Sequence, residues 1–136
     1  MDSPKESPEF RFYYFTSRYE QTVRFYRDIL RLEVRSTWDR PGGERGTVFR
    51  SPNGVGLIEI EAGDRMPSLA GGFYVEVADL QEWRDRLRQS GVPLERDIGL
   101  TSYGHLNFKV VDPSGIELGF FQHAEPGAAP DDSGER

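Results

Sequence analysis

Apolar and polar positions change period several times along this chain, and the changes come twice in the same order. Phe10 to Thr16 is aromatic-rich and alternates, with Arg11, Tyr13 and Phe15 on one side and Phe12 and Tyr14 on the other, which predicts a strand. Ser17 with Glu20 then matches a capping box, and Val23, Tyr26 and Leu30 fall on one helical face, joined by Phe25 and Ile29. Strand-like segments follow near Leu32–Trp38, Thr47–Arg50 and Val55–Glu61. A connector with Gly, Pro and Ser, Ala62 to Gly71, leads to a second strand at Gly72–Val77. Leu80, Trp83 and Leu87 line a second helix that Gly91 stops, and strands near Pro93–Arg96, Tyr103–Val111 and Ile116–Gln122 complete the series.

The repetition is legible in single landmarks. Ser17 and Asp79 open the two helical stretches at an offset of 62 positions; the turns starting at Ser51 and Asp112 lie 61 apart. Both turns, Ser51-Pro52-Asn53-Gly54 and Asp112-Pro113-Ser114-Gly115, precede an apolar strand. Two landmarks at nearly one spacing argue for a duplicated unit of strand, helix and three strands. The predicted architecture is α+β: two βαβββ modules, about 10–61 and 72–123, in one domain spanning 10–123. One helix cannot cover both faces of four strands, so each sheet keeps an open face, and pairing the modules turns these faces into a shared cleft.

Composition narrows the picture. The 136 residues suffice for one core and not for two independent domains. Of the net charge of −6, residues 1–9 carry −2 and residues 124–136 carry −3, leaving −1 on the body between. Those end segments are expected to be flexible tails. No basic stripe interleaves with aromatics, so nucleic acid is not an expected partner. No apolar run reaches membrane-spanning length, and the start lacks the pattern of a secretory signal. With no cysteine the chain has no disulfide framework and no thiolate metal site, which fits a cytoplasmic location.

Phe25-Tyr26-Arg27-Asp28-Ile29-Leu30 after the helix start, with Asp112-Pro113-Ser114-Gly115-Ile116-Glu117-Leu118 near the end, resembles the vicinal oxygen chelate superfamily. That group includes glyoxalase I, bleomycin-resistance-type binding proteins, extradiol dioxygenases, fosfomycin-modifying transferases and methylmalonyl-CoA epimerases. The resemblance implies a glyoxalase/bleomycin-resistance-like fold, usually in a homodimer. It also implies that catalytic members bind a divalent metal through one His, Glu or Gln from the first and last strand of each module. Carried over, those positions are Arg11, Glu59, Gly72, and either Glu117 or Gly119. A guanidinium cannot ligate a cation and glycine offers no ligand, so no metal and no cofactor is expected.

The remaining chemistry is small. Glu59, His105 and Glu117 are the candidate acid–base residues, because a carboxylate beside an apolar wall can serve as a general base. Alternation places His105, Asn107 and Lys109 opposite Leu106, Phe108 and Val110, with the polar set facing the cleft or solvent. Tyr13, Phe15, Trp38 and Phe121, with Tyr74, are candidates for an aromatic slot, and Glu59, His105, Asn107 and Glu117 for its polar anchors. Two functions are open at this point. One is a small-molecule binding protein for a hydrophobic or aromatic metabolite or drug. The other is a lyase-, isomerase- or dioxygenase-type enzyme with a non-standard metal site or metal-free carboxylate/His catalysis.

Overall fold

A computed structural model of the chain describes residues 8–127. The predicted tails fall largely on residues 1–7 and 128–136, outside the described residues. The first module runs β1 (Arg11–Thr16), α1 (Tyr19–Arg24) continuing into a π-helical turn (Phe25–Ile29), β2 (Val34–Asp39), β3 (Arg45–Arg50) and β4 (Leu57–Ala62). The second runs β5 (Gly72–Glu76), α2 (Leu80–Gln89), β6 (Arg96–Leu100), β7 (His105–Val111) and β8 (Glu117–His123). They form two four-stranded sheets of like topology, β1-β4-β3-β2 and β5-β8-β7-β6, with the first and last strand of each module pairing in parallel.

Strand alternation has the expected register. On β1, Tyr14 and Thr16 are buried while Tyr13 and Phe15 are 61% and 52% exposed. On β7, Phe108 and Val110 are fully buried. One apolar cluster joins both modules, uniting Tyr26, Phe49 and Ile60 with Leu87, Phe108 and Phe120. Burying these large side chains contributes about 1.5–3 kcal/mol each relative to exposure, which explains why neither module is expected to stand alone.

Several local expectations are corrected. The Ser17–Glu20 capping box does not form: Arg18 is the N-cap, without a side-chain capping bond, and Thr16 Oγ1 accepts the Arg18 amide at 3.0 Å instead. The amide of Ser17 is committed to the connector, donating to Arg65 O at 3.0 Å. At α2 the cap is conventional, with Asp79 accepting from Glu82 N. β6 lies at Arg96–Leu100 rather than Pro93–Arg96, because Leu94 packs on the core and the pairing with β7 starts at Arg96. β2 starts at Val34 rather than Leu32, since Leu32 is buried and its amide bonds to Tyr26 O across the π-helical turn.

The modules join on their helix-covered sides and along the β1 and β5 edges. Phe12 and Phe73 pack with ring centroids 4.9 Å apart, and Arg86 Nη1 donates to Leu30 O at 2.8 Å. Beneath them is a buried polar knot. Asp112, 4% exposed, accepts from the hydroxyls of Tyr14 and Tyr26 on one carboxylate oxygen and from the amides of Ser114 and Ile116 on the other. The Ser114 hydroxyl lies 2.6 Å from those of both Thr16 and Thr22. The Asp-Pro-Ser-Gly turn of the second module is thereby fastened to β1 and α1 of the first.

Candidate functional site

The sequence candidates divide among three places. Where the modules meet, a cavity of about 300 Å³ is lined by Phe10, Phe12, Phe73, Tyr74, Val55 and Phe121, with Asn53 and Glu76 as polar neighbours. The turn Ser51–Gly56 closes one side, held by Asn53 Nδ2 donating to Glu76 O at 2.9 Å. Of the predicted wall, Tyr74 and Phe121 line this cavity. Phe10, Phe12 and Phe73 were not predicted for it; Phe12 was assigned to the helix side of its strand. Phe12 keeps the expected helix side of β1, beside Tyr14, and alternation does not reveal that it meets Phe73 at the edge between the modules.

Tyr13 and Phe15 stand elsewhere, on the open face of the first sheet, and line a groove of about 480 Å³ with the connector residues Asp64, Arg65, Met66 and Leu69. Beside them in register are Glu59 and Glu61 of β4. Arg11 Nη1 donates to Glu59 at 2.7 Å, and Glu9 takes its other arm at 2.8 Å. Glu59 and Glu61 lie two residues apart on β4, so that each carboxyl group influences the other's proton. Partial burial and the Glu59 carboxylate push Glu61 up to about 7. Glu59 is held below the ordinary value: burial opposes this, but the hydrogen bonds from Glu61 and Arg11 outweigh it. Glu61 therefore exchanges its proton near neutrality while Glu59 stays ionised. Trp38 closes the row, its indole lying over Gly46, where a β-carbon would come within 2.1 Å of the ring.

His105, Asn107, Glu117 and Phe121 share the open face of the second sheet. His105 stacks on Phe121 at 4.4 Å and 17°, with Tyr103 edge-on at 5.0 Å. Asn107 is 1% exposed and accepts from Arg96 Nη2 at 2.9 Å. Glu117 pairs with Lys109 at 3.3 Å. The ring of Tyr74 covers Gly119 as Trp38 covers Gly46. Glu59 thus lies on one sheet and His105 and Glu117 on the other, each with separate partners, and the contacts of His105 are with aromatic rings. Two residues not among the candidates also stand out, Glu61 for its raised carboxyl and Arg96 for a buried nitrogen without a hydrogen bond. The Glu-Ile-Glu alternation signalled Glu61; Arg96 was hidden by the displaced β6.

The pairing settles the ligand positions implied by the resemblance. Arg11 pairs with Leu57 and Gly72 with Glu117, so the counterpart of Glu59, two residues on, is Gly119. A β-carbon on Gly72 would come within 1.7 Å of Glu117 O, so no ligating side chain fits there without moving the strand. The four positions hold a guanidinium, a carboxylate bonded to it, and two glycines. This donor set does not fit a divalent metal, which wants about three protein ligands. Among the described residues no group of three or more His, Asp or Glu side chains is placed to hold a metal ion. No helix among them is long and apolar enough to cross a membrane.

Comparison with known proteins agrees with this architecture. A structure described as a member of the glyoxalase/bleomycin resistance protein/dioxygenase superfamily, from Sphaerobacter thermophilus, superimposes with a TM-score of 0.72 at 17% identity, covering 86% of this chain and 98% of that one. The glyoxalase/bleomycin resistance protein/dioxygenase from Alicyclobacillus acidocaldarius gives 0.70 at 15%, covering 90% and 96%. Lactoylglutathione lyase from Agrobacterium tumefaciens gives 0.64 at 19%, covering 88% and 95%. None of the curated proteins matches the sequence. The family model for the Glyoxalase/Bleomycin resistance protein/Dioxygenase superfamily matches residues 10–120, and the chain belongs to that superfamily.

Proposed function

We propose that this protein binds a small hydrophobic or aromatic molecule, a metabolite or drug, without the metal that catalytic relatives use. The observation that carries this reading is the cavity of about 300 Å³ between the modules, walled by Phe10, Phe12, Phe73, Tyr74 and Phe121 with Asn53 and Glu76 at its margin. An apolar concavity with a few polar groups, at the low end of ligand-pocket volumes, suits a ligand of one or two fused rings. The exposed rings of Tyr13 and Phe15 extend the apolar surface onto the open face of the first sheet. Apolar patches of this kind are commonly covered, and a second copy of the chain, in a homodimer, is the occupant proposed here. Light scattering at twice the mass of one chain is the expected result. A cysteine-free sequence suits a reducing cytoplasm.

The test is thermal denaturation with 2-naphthol, a neutral bicyclic probe. Ligand at about 100 times Kd should add about 2.7 kcal/mol of stability and raise Tm with concentration. A melting temperature that stays constant to millimolar probe would overturn the binding reading.

One observation favours a second, enzymatic reading. Glu61, raised to about 7 beside an ionised Glu59, is poised to give or take a proton near neutral pH. Turnover of an enolisable carbonyl compound that disappears in Glu61→Gln would establish it.

A further inference from the structure

Arg96 holds a polar atom that nothing satisfies. Its Nε is withdrawn from solvent and makes no hydrogen bond, while its Nη2 is spent on the buried Asn107. Among the described residues no carboxylate pairs with this guanidinium. Asp97, adjacent in sequence, is bound to Arg84 at 2.6 Å, and Glu117, across the face, is bound to Lys109. A partly buried guanidinium without a counter-charge is costly, and an orphaned buried donor asks for the partner that is missing.

The surroundings describe that partner. Register places Lys109 directly beside Arg96 on the same face. The Lys109 ammonium lies 5.5 Å from the centre of the Tyr74 ring. Tyr74 meets Phe121 edge-on at 6.3 Å, and His105 stacks on the other part of Phe121. Two cations, only one of them balanced by Glu117, therefore border an aromatic cluster in which Tyr74 and Phe121 meet edge to face. The opposite sheet has the reverse character, with Glu59 and Glu61 around a doubly paired Arg11. An anion is favoured on the second sheet and disfavoured on the first.

We infer that the open face of the second sheet is a subsite for a planar aromatic carboxylate, whose anion is taken by Arg96 and Lys109 and whose ring packs against Tyr74 at the edge of the cluster it forms with Phe121 and His105. A carboxylate matches the forked donors of a guanidinium and would supply the counter-charge that Arg96 lacks. This rests on the small-molecule reading above and narrows it to one ligand class.

Calorimetric titration of the full chain with 2-naphthoate, 2-naphthol and 2-naphthylmethylammonium tests the assignment. Naphthoate should bind at least about tenfold more tightly than naphthol, equivalent to about 1.4 kcal/mol, and the cation most weakly. Arg96→Gln should erase the preference for naphthoate, Arg96→Lys should keep part of it, and the exposed Arg24→Gln should leave it intact. Should Arg96→Gln fail to fold, the same preference must shrink with added salt in the natural chain. Equal affinity for naphthoate and naphthol would overturn the carboxylate subsite and leave the binding reading standing. No binding of any of the three probes would overturn both. An Arg96→Gln variant that dissociates to monomer, in a protein without the naphthoate preference, would assign the counter-charge to a second copy of the chain and also overturn the subsite.

Discussion

Replacing Asp112 offers the sharpest energetic test of how the modules hold together. Its carboxylate accepts four hydrogen bonds, two from phenols of the first module and two from amides of its own turn. Asp112→Ala would leave all four donors buried without an acceptor. Each orphaned donor costs about 1–3 kcal/mol, but the two hydroxyls can partly rearrange, so a total of about 3–5 kcal/mol is expected. For a chain of this size that corresponds to roughly 10–20 °C in Tm. Asp112→Asn should behave differently. Its carbonyl can keep the two amides, and its NH₂ can face the two hydroxyl oxygens, so a loss of only about 1 kcal/mol follows.

The pH dependence separates charge from shape. Burial is the largest influence on Asp112 and raises its pKa above 3.8, against the hydrogen bonds from Tyr14, Ile116, Tyr26 and Ser114, which lower it. The native state therefore binds the proton more readily than the unfolded chain. Its contribution is complete below the unfolded value and is lost as pH rises through the raised one. Asp112→Asn, which cannot ionise, should gain on the natural protein as pH rises above the ordinary aspartate range. Urea unfolding of the three proteins at several pH values gives the answer. An Asn variant as unstable as the Ala variant, or one that loses ground with rising pH, would show that the ionised carboxylate is favoured there and refute the argument.

Tyr13→Ala removes a side chain on a 61% exposed residue and should change stability by no more than about 0.5 kcal/mol, whereas Phe12→Ala, packed on Phe73 and Tyr14, should cost about 2–4 kcal/mol in chemical denaturation. Glu61, raised to about 7, stabilises most fully below its unfolded value and loses that contribution as pH rises through about 7; Glu61→Gln should abolish this slope in Tm between pH 6 and pH 8. Elemental analysis should find no stoichiometric zinc, nickel, manganese or iron, and chelator should leave Tm unchanged; one tightly held metal per chain would contradict the fit of Arg11, Glu59, Gly72 and Gly119.

The fold was legible because it is written twice. Alternation on β1 and β7 separated buried Tyr14, Phe108 and Val110 from Tyr13 and Lys109, since one residue of slip would have put every apolar group in water. Local capping chemistry was less reliable. The Ser17–Glu20 pattern was overridden by tertiary bonds of Ser17 to the connector and of Arg18 to Thr16. The π-helical turn at Phe25–Ile29 has no propensity signature, so the start of β2 was placed early. The site was only partly readable for a geometric reason. Period-two alternation says which face a residue occupies but not which sheets meet, so Glu59 and His105 could be placed on open faces yet not kept apart. Phe10, Phe12 and Phe73 gather at a junction between strands 61 residues apart in register, which no local pattern encodes.

Amide chemical-shift mapping of isotopically labelled protein titrated with 2-naphthol addresses the central claim most directly. The account predicts saturable shifts at Asn53, Val55, Phe73, Tyr74 and Phe121, around the cavity between the modules. It also predicts the same map after exhaustive chelation. Shifts confined to other surfaces, or a response that requires an added divalent metal, would contradict it.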